Sequence, residues 1–241
     1  DFWRWHDALT WDAIKPFLPR EQDAKTPVIG FLAHVDTSPE MSGKDVKAVI
    51  HRNYAGGDLE LPADPDAVIA PILQTVRDAI ETDGAKAIIA PHVGYQYSGL
   101  TAAYAYRLLE GRRKMIRRVV LLGPAHRVYL QGMALPSTDT FRTPLGDVPV
   151  DRDTVAALQE RGVEVFEASH QYEHSLEVHL PFLQTVLDDF RLVPIVVGIC
   201  PAREVKAVLE ALWGGDETLV VVSSDLSHFH SYNEARELDA N

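Results

Sequence analysis

A chain of 241 residues with 46% hydrophobic content is long enough to bury a core, and its formal net charge of −12 argues against a nucleic-acid backbone as the main partner. No apolar run reaches the roughly 18–20 residues a membrane-spanning helix needs, and Asp1 to Arg4 do not open a signal peptide, so no membrane partner and a cytoplasmic location are expected. The single cysteine, Cys200, excludes an intramolecular disulfide and follows a strand-like run, which reads as an inert core thiol in a reducing compartment.

Residues 1–65 differ in texture from the rest. Trp3, Trp5, Trp11, Ile14 and Phe17 fit one face of a helix, and Val28 to Leu32 reads as a strand running into His34 and Asp36. Gly56, Gly57, Pro62 and Pro65 mark a turn-rich connector, which sets a domain boundary near residue 65 and a second unit over 66–241. From Asp66 onward, strand-type runs alternate with segments of helical period, the pattern of an α/β fold with a mostly parallel or mixed sheet flanked by helices.

In that second unit a helix over Ile69 to Ile80 stops at Gly84, and Lys86 to Ala90 is a buried strand followed by Pro91 and His92. A helix from Leu100 to Leu109 leads to the strand Arg118 to Leu122, which breaks at Gly123 and Pro124 ahead of His126. The turn-rich stretch from Met133 to Val150 forms a loop or hairpin. Then come a helix over Arg152 to Glu160, a short strand over Val163 to Phe166, a helix over Ser175 to Phe190 and a strand over Leu192 to Val197. A helix over Ala202 to Trp213 and the strand Thr218 to Val222 complete the pattern, and Ser223, Ser224, Asp225 and His228 follow that strand. The short basic run Arg112 to Lys114, with Arg117 and Arg118, reads as a solvated helix end.

In open α/β sheets ligands bind beyond the carboxyl ends of the strands, so His92, His126, Asp225 and His228 stand where such proteins build a metal or catalytic site. Neutral imidazole is a common ligand for zinc, copper and iron, which makes His92 and His126 a natural ligand pair. The alternative is that each histidine caps a loop through a hydrogen bond. If a helical turn begins at Asp225, then Asp225 and His228 share a face and suit a general base oriented by a carboxylate, unless Ser224 or Asp225 merely caps that helix. Glu173, His174, Glu177 and His179 surround a helix start, but the two histidines are five residues apart, not the four of the zincin HExxH motif. They are expected to line or brace the pocket.

Most of the chain resembles the Memo family, also known as AmmeMemoRadiSam system protein B. The matching blocks are IIAPHVGYQYSG at Ile88 to Gly99, LLGPAHRV at Leu121 to Val128, FRTPLGDVPVD at Phe141 to Asp151, EHSLEVHLPFLQ at Glu173 to Gln184, VPIVVG at Val193 to Gly198 and VVSSDLSHF at Val221 to Phe229. The resemblance implies a fold like that of class III extradiol dioxygenases, with His92 and His126 as metal ligands and His228 as catalytic histidine beside Asp225. It implies a divalent metal, iron first with copper or zinc next, a redox role, and a small-molecule or peptide ligand. The family's third ligand is a cysteine in a later CG segment, expected downstream of His228. The chain stops at Asn241, and Cys200 does not match that ligand by position, so the second unit reads as cut short at its C-terminus.

Ile29 to Leu61 is similar to peptidase T, a tripeptidase of the M20 metallopeptidases, with His34 matching a zinc ligand and Asp36 the acidic residue that orients it. The rest of that enzyme's site has no match after residue 65. The join near residues 62–70 is that of a fusion, a frameshifted or misassembled gene, or an artificial sequence. Three functions follow as alternatives: a Memo-like metal-binding protein with a dioxygenase-like pocket, a zinc aminopeptidase built on His34 and Asp36, and a non-catalytic peptide-binding module.

Overall fold

A computed structural model describes residues 29–31, 85–228 and 230–239. The expected helices over residues 3–17 and 69–80, the boundary near residue 65, and His34 with Asp36 lie outside these residues. The strands are β1 (Ile29–Phe31), β2 (Ala87–Ala90), β3 (Arg118–Pro124), β4 (Met133–Leu135), β5 (Thr140–Thr143), β6 (Gly146–Pro149), β7 (Glu164–Val165), β8 (Arg191–Val197) and β9 (Thr218–Ser223). The α-helices among the described residues are α1 (Tyr95–Arg107), α2 (Arg152–Glu160), α3 (Leu180–Val186), α4 (Ala202–Leu212) and α5 (Tyr232–Asp239).

Seven strands form one sheet in the order β1-β2-β9-β3-β8-β4-β7, and β5 and β6 form a separate antiparallel hairpin. The pairs β1/β2, β2/β9, β3/β9 and β3/β8 are parallel, whereas β4 runs antiparallel to β8, so the sheet is mixed and mainly parallel as expected. Its central strands are continuous apolar runs because both faces are covered. Successive residues of β3 separate accordingly: Val119 and Leu121 pack with the buried face of α1 and α3, and Val120 and Leu122 pack with Val155 and Leu158 of α2 and Val205 and Leu209 of α4. Burying each such side chain contributes about 1.5–3 kcal/mol, which fixes the register of strands whose ends carry polar residues.

Local signals set the helix ends. The Asp151 side chain accepts the Thr154 N–H at 3.1 Å and starts α2, and Gly162, at φ +93°, ends the turn that follows it. The helix expected over residues 175–190 is only Leu180–Val186, preceded by a 3-10 turn at Glu177–His179. Pro181 lies in its first turn, where a missing N–H costs nothing, so the α-helix begins there.

Two further expectations change. The strand that was to break at Gly123 continues through Pro124, because Gly123 and Pro124 stay paired with Val196 and Val197 of β8. The helical turn at Asp225 is absent: residues 224–228 are irregular and α5 starts at Tyr232, so neither Ser224 nor Asp225 caps a helix. Of the basic run, Arg113, Lys114 and Arg117 are exposed as expected of a solvated helix end, whereas Arg112 is buried. Buried Arg112 donates to the Ala85 carbonyl at 2.6 Å, Arg113 pairs with Asp188 at 2.6 Å and Arg118 with Asp151 at 3.0 Å. No helix among the described residues is long and apolar enough to cross a membrane.

Candidate metal centre

The last strand of the sheet in sequence lies between two earlier ones. β9 separates β2 from β3, so the residues that follow these three strands meet at one edge: His92 after β2, Asp225 after β9 and His126 after β3. Ala90 pairs in register with Ser223, which puts His92 and Asp225 at matching positions beyond the paired residues. The backbone N–H of His92 donates to Asp225 Oδ1 at 2.8 Å, and His92 Nε2 lies 3.2 Å from Asp225 Oδ2.

A third histidine joins from a segment outside the sheet. Rings of His92 and His126 have centroids 5.1 Å apart, His126 and His174 4.8 Å, and His92 and His174 5.7 Å. Each of the three can offer a ligand atom such that all lie within 4.8 Å of one another. An ion at about 2.0–2.2 Å from each of three imidazole nitrogens sets those nitrogens roughly 3–4 Å apart, so the cluster stands close to ligating spacing. These three residues could hold a metal ion. The sequence marks His174 only as a bracing residue, because the segment that carries it does not follow a strand and its partner histidine at residue 179 is out of helical phase.

Gly123 explains why His174 reaches the strand ends. A Cβ on Gly123 would lie 2.8 Å from both Leu176 Cδ2 and Ser175 Oγ, so only glycine lets this segment pack directly on β3. The Ser175 hydroxyl then donates to the Pro124 carbonyl at 2.8 Å, and the Tyr95 hydroxyl holds the Val178 carbonyl at 2.9 Å from the start of α1.

Each first histidine pair member has a buried partner for its other nitrogen. Glu173 accepts the His126 ring Nδ1–H at 2.8 Å, and His92 Nδ1 lies 2.6 Å from Ser223 Oγ. An ion would therefore take Nε2 of both rings, an arrangement in which the outer contact fixes ring orientation. Burial holds His92 down to about 4 despite the nearby Asp225 carboxylate. Burial and then His126 lower His174 as well, so both rings are held in the neutral, ligating form. Burial raises Asp225, but His92, the bond from His228 and the His92 backbone N–H outweigh it and hold the carboxyl below its ordinary value.

His228 lies beside that carboxylate without any helix, with its Nε2 3.5 Å from Asp225 Oδ2 and its side chain 23% exposed. Asp225 itself is buried. One carboxylate thus faces both a cluster histidine and a solvent-reached histidine, an arrangement able to exchange a proton between the site and water. His179, also buried, bonds the Tyr106 hydroxyl through Nδ1 at 2.7 Å, and burial brings it to about 3. Cys200 lies elsewhere, where burial and then Glu204 push its thiol up to about 12, and is no ligand to this cluster. Two cavities of about 690 and 840 Å³ also lie away from the histidines, one lined by Arg117, Arg118 and Asp151, the other by Gly132, Gly162 and Pro201.

The family model described as Memo-like protein matches residues 55–241. A MEMO1 family protein of Archaeoglobus fulgidus is 37% identical over 184 residues, covering 74% of this chain and 68% of that protein. A MEMO1 family protein of Methanosarcina barkeri is 41% identical over 157 residues, covering 63% of this chain and 57% of its own. Protein MEMO1 of Homo sapiens is 33% identical over 187 residues, covering 73% of this chain and 60% of its own. The chain thus spans about three fifths of the length of the latter two relatives.

Proposed function

Because the chain belongs to the Memo family, we propose that it is a metal-binding protein with a dioxygenase-like pocket, in which His92, His126 and His174 hold a divalent ion. The observation that carries the reading is the approach of three ligand atoms to within 4.8 Å of one another, with two of the three rings held at their outer nitrogens. Iron is the first choice of ion on the strength of the family resemblance, with copper and zinc as alternatives because imidazole suits all three. A bound ion would supply Lewis acidity and a place for dioxygen or a substrate oxygen, the basis of a redox role.

The protein's own groups supply the rest. Glu173 and Ser223 orient two of the ligands, and the buried Asp225 stays ionised beside His228. His228 is the group to accept or deliver a proton, because it alone of that pair reaches solvent, and Asp225 steadies its charged form. Catalytic roles are therefore assigned to His228 and Asp225, and ligand roles to His92, His126 and His174.

The test is titration of the metal-free protein with iron(II), copper(II) and zinc(II), followed by His92→Ala, His126→Ala and His174→Ala. Each substitution is expected to weaken binding by at least an order of magnitude. Undiminished binding in the triple variant overturns the reading.

A second reading is a non-catalytic site for a peptide or small molecule. It is favoured by Tyr97, Tyr129 and Tyr172, which are 45%, 75% and 60% exposed and lie within five residues of His92, His126 and His174 respectively. Amphipathic rings of this kind supply contact area at little entropic cost. Peptide capture that survives removal of metal and of all three histidines would favour it over the first.

A further inference from the structure

Three close contacts run in series through His92, and its neutral ring and the serine hydroxyl supply only two protons for them. Ser223 Oγ lies 2.6 Å from the Ser175 carbonyl oxygen, His92 Nδ1 lies 2.6 Å from Ser223 Oγ, and His92 Nε2 lies 3.2 Å from Asp225 Oδ2. A carbonyl oxygen can only accept, so the serine hydroxyl donates to Ser175. With its hydrogen committed there, the serine oxygen can only accept from His92, which places the imidazole proton on Nδ1. The Nε2 lone pair is then left facing a carboxylate oxygen that also carries only lone pairs. Two acceptors at that separation repel unless a cation lies with them.

The opposite arrangement has a clear cost. A proton on Nε2 could donate to Asp225, but the serine hydroxyl would then turn to Nδ1 and leave its oxygen 2.6 Å from the Ser175 carbonyl with no hydrogen between them. Ser175 and Ser223 are both buried, so water does not relieve that contact from the bulk.

We propose that Ser223 is a positioning residue that selects the Nδ1–H tautomer of His92, making His92 a ligand for a cation instead of the donor in a closed pair with Asp225. The inference rests on His92 being a metal ligand, and the charge of Asp225 beside the same nitrogen then adds to the attraction for the ion. Without the serine oxygen nothing accepts at Nδ1, the proton moves to Nε2 to reach Asp225, and an incoming ion must displace it.

The experiment reads the tautomer directly on the metal-free 241-residue chain labelled with ¹⁵N-histidine at neutral pH, by long-range ¹H–¹⁵N correlation. Wild type is expected to show the Nδ1–H pattern at His92, Ser223→Ala the Nε2–H pattern, and Ser223→Thr, which keeps a hydroxyl, the wild-type pattern. An Nε2–H pattern in wild type overturns the proposal whether or not either variant folds, and so does an unchanged tautomer in folded Ser223→Ala. Iron(II) titration is then expected to show about 10- to 100-fold weaker binding for Ser223→Ala, with Ser223→Thr near wild type. Equal affinity in all three overturns the proposed link to metal. A wild type that binds none of iron, copper or zinc overturns the metal reading itself, while the tautomer shift on losing Ser223 still supports the serine's role.

Discussion

Glu173 holds His126 twice, accepting its backbone N–H on Oε2 at 2.6 Å and its ring Nδ1–H on Oε1 at 2.8 Å. Oε1 also accepts the backbone N–H of His174 at 2.9 Å and of Ser175 at 3.0 Å. A single buried carboxylate therefore ties the loop after β3 to the segment that delivers the third histidine. Burial pushes the Glu173 carboxyl up, yet the bonds from His126 and Ser175 outweigh it and bring it to about 2.

Replacing Glu173 with Gln keeps the shape but removes the charge and turns one acceptor into a donor facing N–H groups. Unfolding in urea is expected to show a loss of about 2–4 kcal/mol, since several buried donors lose a charged acceptor at once. Metal affinity should fall about 10- to 100-fold through misorientation of His126. A variant as stable and as tightly metal-bound as wild type would remove Glu173 from this role.

Gly123→Ala tests the packing that places His174. The added Cβ meets Leu176 Cδ2 and Ser175 Oγ at 2.8 Å, in a strand paired on both sides, so neighbours must shift. A stability cost of about 1–3 kcal/mol is expected, together with weaker metal binding. Loss of stability with unchanged affinity would show that the position of His174 does not depend on this contact.

Acid should destabilise the fold in two stages. His92 and His179 ionise at about 4 and about 3 in the fold, against 6.5 ordinarily. Below pH 6.5 the unfolded chain therefore binds more protons than the native one, and stability falls as pH drops toward 4. Glu173 acts in the same direction lower down: its stabilisation is present above its ordinary value of 4.5 and is lost as pH falls toward 2. Urea midpoints measured from pH 7.5 down to 4 should decline steadily. A midpoint that stays level or rises between pH 6.5 and 5 contradicts this account.

Tyr106→Phe removes the hydroxyl that bonds His179 Nδ1 while leaving the ring stacked on Phe182, whose centroid is 4.8 Å away. The buried imidazole loses its partner, at an expected cost of about 1–3 kcal/mol in thermal or urea unfolding. Because the ring contact persists, a much larger loss would indicate disrupted packing in place of a missing hydrogen bond.

Several parts of this site are legible in the chain alone. The runs ending at Ala90, Leu122 and Val222 announce buried strands, since side chains covered on both faces read as unbroken apolar stretches, and the polar residues just after them stand where α/β sheets bind ligands. Periodicity also locates α2 at Arg152–Glu160 and α4 from Ala202, where apolar spacing is regular and the ends are marked by Asp151 and Pro201. It overextends the helix around residues 175–190, because Leu176 and Val178 are buried in a turn and not on a helical face.

The chain by itself determined the core strands β2, β3, β8 and β9, their buried character and four of the polar residues beyond their ends, because these depend on local hydrophobic pattern; it did not mark β4 as a strand of the sheet, because Met133–Leu135 opens a turn-rich stretch. Tertiary structure alone decided that β9 lies between β2 and β3, that His174 stands beside His92 and His126, and that Asp225 meets His228 without a helix. Strand order and the approach of the Ser175 segment over Gly123 are set by packing between residues about 50 to 130 positions apart, as in the Gly123, Ser223 and His92 contacts, and no short-range period encodes such separations.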